Sequence, residues 1–391
     1  MMRQMFVVLV AVFCCVFGSM SAWAGGLCIV GPTGTTDVAN GSDPWDMWFP
    51  HNLGSKLQLK GESALKFGAV LMAPRFKYED RRGRTFNSKK GVVHLLPSVS
   101  YAEWLDDYTV WGVDVDTHYG MGASFADVKY GMDSETLVSG TYTKLYLSHQ
   151  FSEQWSAGIG PTLVMGMMDW YGPLDIARRP LPVRVGLEAI GFGVGWQAGV
   201  MYQSNERFAI GLNYLSPVTT HLEARCTVGA LGLSVRDAVD LEFRFPEKVD
   251  LSLGYQPNGD WLIVAQASYF GYSQNTLDQV KVDFDKLMIT KPVNLGWQDN
   301  YAFSVGASHH LNDRWTVGGG VTYMTKAIGK TADFMTPDMA GWAVATRVKY
   351  SPNHKFSVIA SVTYGWGENE QSGRKMSVDI VNVGVSAGWT F

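Results

Sequence analysis

From Val378 to Phe391 the chain alternates almost without interruption. Trp389, Ala387, Val385, Val383 and Val381 fall on one face, and Thr390, Gly388, Ser386, Gly384 and Asn382 on the other. Successive side chains of a strand point to opposite sides, so this segment has one apolar face and one small, polar face. The pattern recurs in fourteen segments, near 64–74, 92–104, 108–119, 138–151, 154–168, 190–203, 206–227, 238–256, 259–272, 298–311, 314–326, 342–352, 355–367 and 378–391. Most are close to the roughly 9–11 residues that a tilted strand needs to cross a bilayer. So many half-apolar strands must hide their apolar faces, either against one another or in lipid.

The connections choose between these. Leu105-Asp106-Asp107, Ser152-Glu153, Ser204-Asn205, Pro257-Asn258, Asn312-Asp313 and Pro352-Asn353-His354 are short and made of turn-forming residues. Between them lie long connections at 75–91, 120–137, 169–189, 228–237, 273–297, 327–341 and 368–377. Short turns on one side and long loops on the other predict an outer-membrane barrel. Aromatics stand at both ends of the apolar faces, as in Trp261 to Tyr269 and Trp315 to Tyr323, where membrane interfaces favour them. The predicted fold is all-β, a 14-stranded antiparallel transmembrane β-barrel, in preference to a soluble sandwich.

The start of the chain is of another kind. Arg3 precedes an apolar run from Met5 to Phe17, and small residues close it at Ala22-Trp23-Ala24. This predicts a signal peptide, residues 1–24, because the run is too short to span a bilayer. Its loss removes only Arg3 among charged residues, so the formal charge moves from −4 to −5. Gly25 to Ser63 is rich in Gly, Pro, Asn and Asp, yet Trp45, Met47, Trp48 and Phe49 cluster within it. Such side chains need burial, so residues 25–63 are expected to fold into the lumen as a hatch, with 64–391 forming the barrel. No basic stripe points to nucleic acid.

Several stretches resemble the FadL family of outer-membrane transporters of long-chain fatty acids and hydrocarbons. Leu295-Gly296-Trp297-Gln298-Asp299-Asn300-Tyr301, continuing to Asn312-Asp313-Arg314-Trp315-Thr316, is similar to a signature stretch of that family. Phe245-Pro246-Glu247, Leu253-Gly254-Tyr255, Asp260-Trp261, Pro97 with Tyr101, and Tyr119-Gly120 resemble other parts of it. The chain departs from the pattern at Phe49-Pro50-His51-Asn52, where the family has its plug motif, and at Gln298, where a basic residue is common. The resemblance implies a monomeric plugged barrel in outer-membrane lipid. It would pass hydrophobic or amphipathic small molecules to a lateral exit near the third strand. It also implies that Phe391 resembles the signal read by barrel-insertion machinery.

Alternation then nominates residues. Lys144 faces inward with Tyr142 and Tyr146; Arg244 and Lys248 face inward beside Asp240, Glu242 and Asp250; Arg347 and Lys349 also face inward. Each base either meets a ligand head group or pairs with a neighbouring acid. Lys144 is the leading candidate, because two tyrosines flank it and its own strand offers no acid. Lys144→Ala is therefore expected to weaken carboxylate uptake. Asp114, Asp116 and His118 share a face before Gly120, which suggests a kink beside the lateral exit or a plain polar lumen wall. As a metal site the trio is weak.

Segment 169–189, with Trp170, Tyr171, Leu174 and Ile176, is unusually apolar for an outer loop and is the expected capture groove; Arg178 and Arg179 there are candidates for lipopolysaccharide phosphates. Cys28 and Cys226 are expected too far apart to pair. No Ser-His pair suggests an enzyme, and no cofactor is called for. The competing reading is a general diffusion pore.

Overall fold

The structure is a computed structural model. It describes residues 47–59, 63–129, 132–174, 183–230, 233–273, 280–284, 289–293, 297–327, 339–371 and 373–391. The expected signal peptide, most of the expected hatch including Trp45, and Cys28 lie outside these residues.

The strands are, in order, β1 (Ser63–Glu79), β2 (Thr85–Asn87), β3 (His94–Asp106), β4 (Thr109–Lys129), β5 (Met132–Gln150), β6 (Trp155–Leu174) and β7 (Val183–Asn205). There follow β8 (Phe208–Leu215), β9 (Val218–Ala230), β10 (Leu233–Phe245), β11 (Lys248–Asn258) and β12 (Trp261–Phe270). The remainder are β13 (Val280–Phe284), β14 (Ile289–Val293), β15 (Asn300–Asn312), β16 (Trp315–Met324), β17 (Ala340–Asn353), β18 (Phe356–Gln371) and β19 (Arg374–Thr390). β2 and the β13–β14 hairpin are short additions outside the main wall. β8 with β9, and β10 with β11, are single bent staves. The wall therefore has fourteen staves, antiparallel throughout, and closes where β1 pairs with β19 from Ala64↔Thr390 to Glu79↔Lys375. This pairing removes the edges that the first and last staves would otherwise present to lipid.

The tight turns repeat one device. Asp106, Asn205, Asn258, Asn312 and Asn353 each accept a backbone N–H two residues on, at 2.7–3.1 Å. A short carbonyl side chain here replaces a ladder partner that the turning backbone lacks. The same end carries a ring of outward aromatics, including Trp155 against Tyr202 at 4.6 Å, Trp315 against Tyr350 at 4.6 Å and Phe356 against Trp389 at 5.1 Å. A second ring lies further up the same faces, with Tyr323 against Trp342 at 4.8 Å and Tyr269 against Tyr301 at 5.6 Å. Val305, Val344, Val362 and Val383 stand exposed between the rings. Two aromatic girdles bounding an aliphatic band define the membrane zone.

Above that band the amphipathicity inverts. On β19, Val381, Val383 and Val385 face out, whereas Met376, Val378 and Ile380 are buried inside. On β1, Leu71 faces out, whereas Phe76 and Tyr78 are buried. Several segments expected as long loops are therefore strands that continue beyond the membrane, notably 120–129, 132–137, 169–174 and 183–189.

One expectation fails for a different reason. A continuous strand over 238–256 would point Arg244, Glu242, Lys248 and Asp250 the same way. Pro246-Glu247 interrupts the stave, opposite Ser216-Pro217 in its neighbour, since Leu215 pairs with Lys248 and Val218 with Phe245. Both breaks carry a proline, which cannot donate to the ladder. Facing reverses across them: Lys248 and Asp250 are buried inside, but above the break Phe243 and Phe245 are inside and Arg244 and Glu242 are exposed outside. Arg244 is therefore not a lumen residue. Asp240 has no described side chain.

Candidate functional site

Residues 47–59 lie inside the barrel near the tight turns. Met47, Trp48, Phe49, Asn52 and Leu53 are all buried. Trp48 and Phe49 pack on Met201, Ala209 and Val264, while Met47 and Leu53 pack on Ala64, Ala102, Val110 and Tyr146. Asn52 fixes the segment. Its Nδ2 donates to Val200 O and Leu212 O of the wall at 3.0 Å each, and its Oδ1 accepts Gly54 N–H at 2.8 Å to start the 3-10 turn Leu53–Gln58. Wall glycines make room: a Cβ on Gly199 would lie 2.7 Å from Leu53 N, and one on Gly158 2.6 Å from Leu53 Cβ.

A charged layer lies over this floor. Lys56, buried, places Nζ 3.0 Å from Asp114 Oδ2. Asp114 is the direct cross-strand neighbour of Lys144, but with Asp114 held from below, Lys144 Nζ reaches Asp116 Oδ2 instead at 2.8 Å. Asp116 Oδ1 is 2.9 Å from His118 Nδ1, and the His118 ring meets His51 of the floor segment at 6.2 Å between centroids. Lys248 Nζ is 3.1 Å from Asp250 Oδ2, which also accepts from Ser268 at its other oxygen, 2.6 Å away. Burying these charges is tolerable because each has a partner. Lys56 was missed in the sequence, although it is the only charged residue between Met47 and Leu59.

Above the charges the interior is aromatic. Tyr142 packs against His118 at 5.1 Å, Tyr119 at 5.7 Å and Phe245 at 6.1 Å. Phe243, Phe270, Tyr272, Trp297 and Met324 continue this apolar interior upward. Tyr142, Lys144 and Tyr146 do face the lumen, as alternation indicated, and so do Arg347 and Lys349. Arg347 and Lys349 lie across the lumen on β17.

The wall is not uniformly paired. β3 and β4 are joined only from Asp106↔Thr109 to Val99↔Val115. Beyond that, β3 runs on to His94 paired with β1 alone, and β4 runs on paired with β5 alone. The break is bridged at its top, where Ser88 pairs with Phe125 and Lys89 N–H donates to Ser124 O at 2.8 Å. Pro97 lies on the unpaired edge and has no N–H to offer. β4 also bulges, because its register with β5 shifts between Thr117 and Tyr119. The departure falls at His118, not at Gly120, which pairs normally with Ser139. A small cavity sits against the break, lined by Pro97, Ser98, Asp116 and Thr117 and also by His51 and Lys66.

The expected capture residues are not on a free loop. Trp170, Tyr171 and Leu174 belong to β6, in a tall hairpin with β7. Trp170 packs on the apolar interior, and Tyr171 is exposed beneath the Arg184 guanidinium at 5.4 Å. Ile176, Arg178 and Arg179 lie outside the described residues. Cys226 is buried in the upper interior.

A fourteen-stave barrel with an occupied lower lumen and a break in its wall defines a transport barrel of the outer membrane. Residues 57–387 match the family described as "Outer membrane protein transport protein (OMPP1/FadL/TodX)", and the chain belongs to it. It is 21% identical over 314 residues to a long-chain fatty acid transport protein of Salmonella typhi, covering 70% of each chain. Among solved structures it resembles a Pseudomonas aeruginosa FadL homologue, with TM-score 0.77 at 13% identity over 95% of this chain and 100% of that one. It also resembles the P. putida toluene transporter TodX, with TM-score 0.76 at 15% identity over 92% and 99%.

Proposed function

We propose that this outer-membrane protein takes up hydrophobic small molecules through the apolar upper interior and releases them sideways through the break between β3 and β4. The floor formed by residues 47–59 carries the reading, because a route straight down the axis would have to displace buried Trp48, Phe49 and Leu53. A hydrophobic solute gains about 0.8 kcal/mol per methylene by staying on apolar surface, so an aromatic chamber suits it better than a water-filled pore. Named relatives, a fatty acid transport protein and a toluene transporter, carry solutes of this kind. Residues 25–63 act as the hatch, with Asn52 as its anchor, and the protein needs no catalytic step.

The floor also weighs against a general diffusion pore. Planar-bilayer recordings should show no large steady current. A bifunctional thiol cross-linker across Pro97→Cys and Thr117→Cys, the pair that would continue the β3–β4 register, should stop uptake of a hydrophobic tracer into cells while the barrel remains folded. Undiminished uptake by the cross-linked protein rules out the lateral route.

A further inference from the structure

We infer that the transported molecule carries no negative charge, and that Asp116 sets this selection by holding Lys144. This rests on the transport reading above and deepens it. Lys144 sits between Tyr142 and Tyr146, where an amphiphile's carboxylate would seek a base. Its Nζ already has the Asp116 carboxylate at 2.8 Å, with side chains only 5% and 14% exposed. An incoming carboxylate must compete with one tethered to the wall and present at high effective concentration. It must also approach Asp116 itself, which lines the cavity at the break. Like charges brought together in a poorly solvated site repel strongly.

Among the described residues, two further buried lysines are already paired with acids. Lys56 is held by Asp114 and Lys248 by Asp250. Lys66, which lines the same cavity, and Arg347 and Lys349 on β17 each make some contact of their own. A neutral solute meets none of these costs and finds the rings of Tyr119, Tyr142 and Phe245.

Laurate and 1-dodecanol test this, since they share a chain and differ in charge. Binding of each to the purified full-length protein in a non-ionic detergent is measured by calorimetry near neutral pH. Dodecanol should bind, and laurate about tenfold more weakly or worse, a gap of about 1.4 kcal/mol. Asp116→Asn should strengthen laurate binding about tenfold and leave dodecanol within about twofold. Adding Lys144→Met to that variant should remove the gain. Lys144→Met alone leaves Asp116 without this counter-charge, so laurate should bind no better than to the wild type, and the wild-type comparison decides the matter even if Asp116→Asn fails to fold. Equal affinities in the wild type, or a folded Asp116→Asn variant that binds laurate no better than the wild type, overturns the inference alone. Failure of dodecanol to bind overturns the transport reading, and the inference with it.

Discussion

Two arcs of one wall follow different rules. From β15 through β19 the staves pair in unbroken register, and the only shifts fall beside the tight turns, at His310/Asn312 and Tyr350/Asn353. Within the membrane band, outward positions are mostly aliphatic or aromatic, and inward ones are mostly Ser, Thr, Gly and Ala. From β3 through β11 the register shifts within a stave at Thr117/Tyr119, two staves bend at Ser216-Pro217 and Pro246-Glu247, and one pairing stops at Val99↔Val115. The floor segment packs on this irregular arc, at β4 to β8, and three of the buried ion pairs lie along it. The regular arc meets the demands of lipid and closure. The irregular arc gives up ladder hydrogen bonds where it seats the floor, the charged layer and the break in β3–β4 pairing, and such departures concentrate where function is.

The contrast can be broken in several ways. Deleting residues 47–59 should have the largest effect, converting a non-conducting barrel into one with a steady ion current in planar bilayers. A deletion variant that stays closed would mean that these residues are not the barrier. On the regular arc, Val305→Arg puts a charge on the lipid face and should cost about 2–4 kcal/mol, read as a lowered urea midpoint for unfolding from lipid vesicles. A negligible change would place Val305 outside the hydrocarbon zone. Asn52→Ala should cost about 2 kcal/mol, because it removes hydrogen bonds to Val200 O and Leu212 O and the start of the 3-10 turn. It should appear as brief current openings and faster proteolysis of the floor, with the barrel still heat-modifiable on gels. The smallest effect is expected for Thr322→Val, which removes the 2.8 Å hydroxyl contact with Ser304 on the regular arc. It should cost about 1 kcal/mol and leave tracer uptake unchanged. A transport defect there would show that the regular arc also serves the path.

The regular arc was readable in advance because its information is local. Trp315, Val317, Val321 and Tyr323 announce an outward face by spacing alone, and the Asn and Asp residues mark each tight turn. The irregular arc was only half readable. Lys144 was correctly turned inward, yet its partner depends on Lys56, far back in the chain, taking Asp114 first. Arg244 was turned the wrong way, because counting by twos carries no record of a bend at Pro246, although the proline itself was a visible warning.

Sequence alone determined that this chain makes a barrel, how many staves it has and which faces meet lipid. Period-two alternation, turn residues and aromatic bands act within a strand and its immediate neighbours. Tertiary structure decided where the wall's pairing stops, what stands on the floor and which acid Lys56, Lys144 and Lys248 each hold. Those outcomes depend on strand register and on contacts between residues distant in the chain, such as Asn52 with Leu212 and Lys144 with Asp116. Ladder pairing and closure fix such contacts for all staves together, so no single segment encodes them.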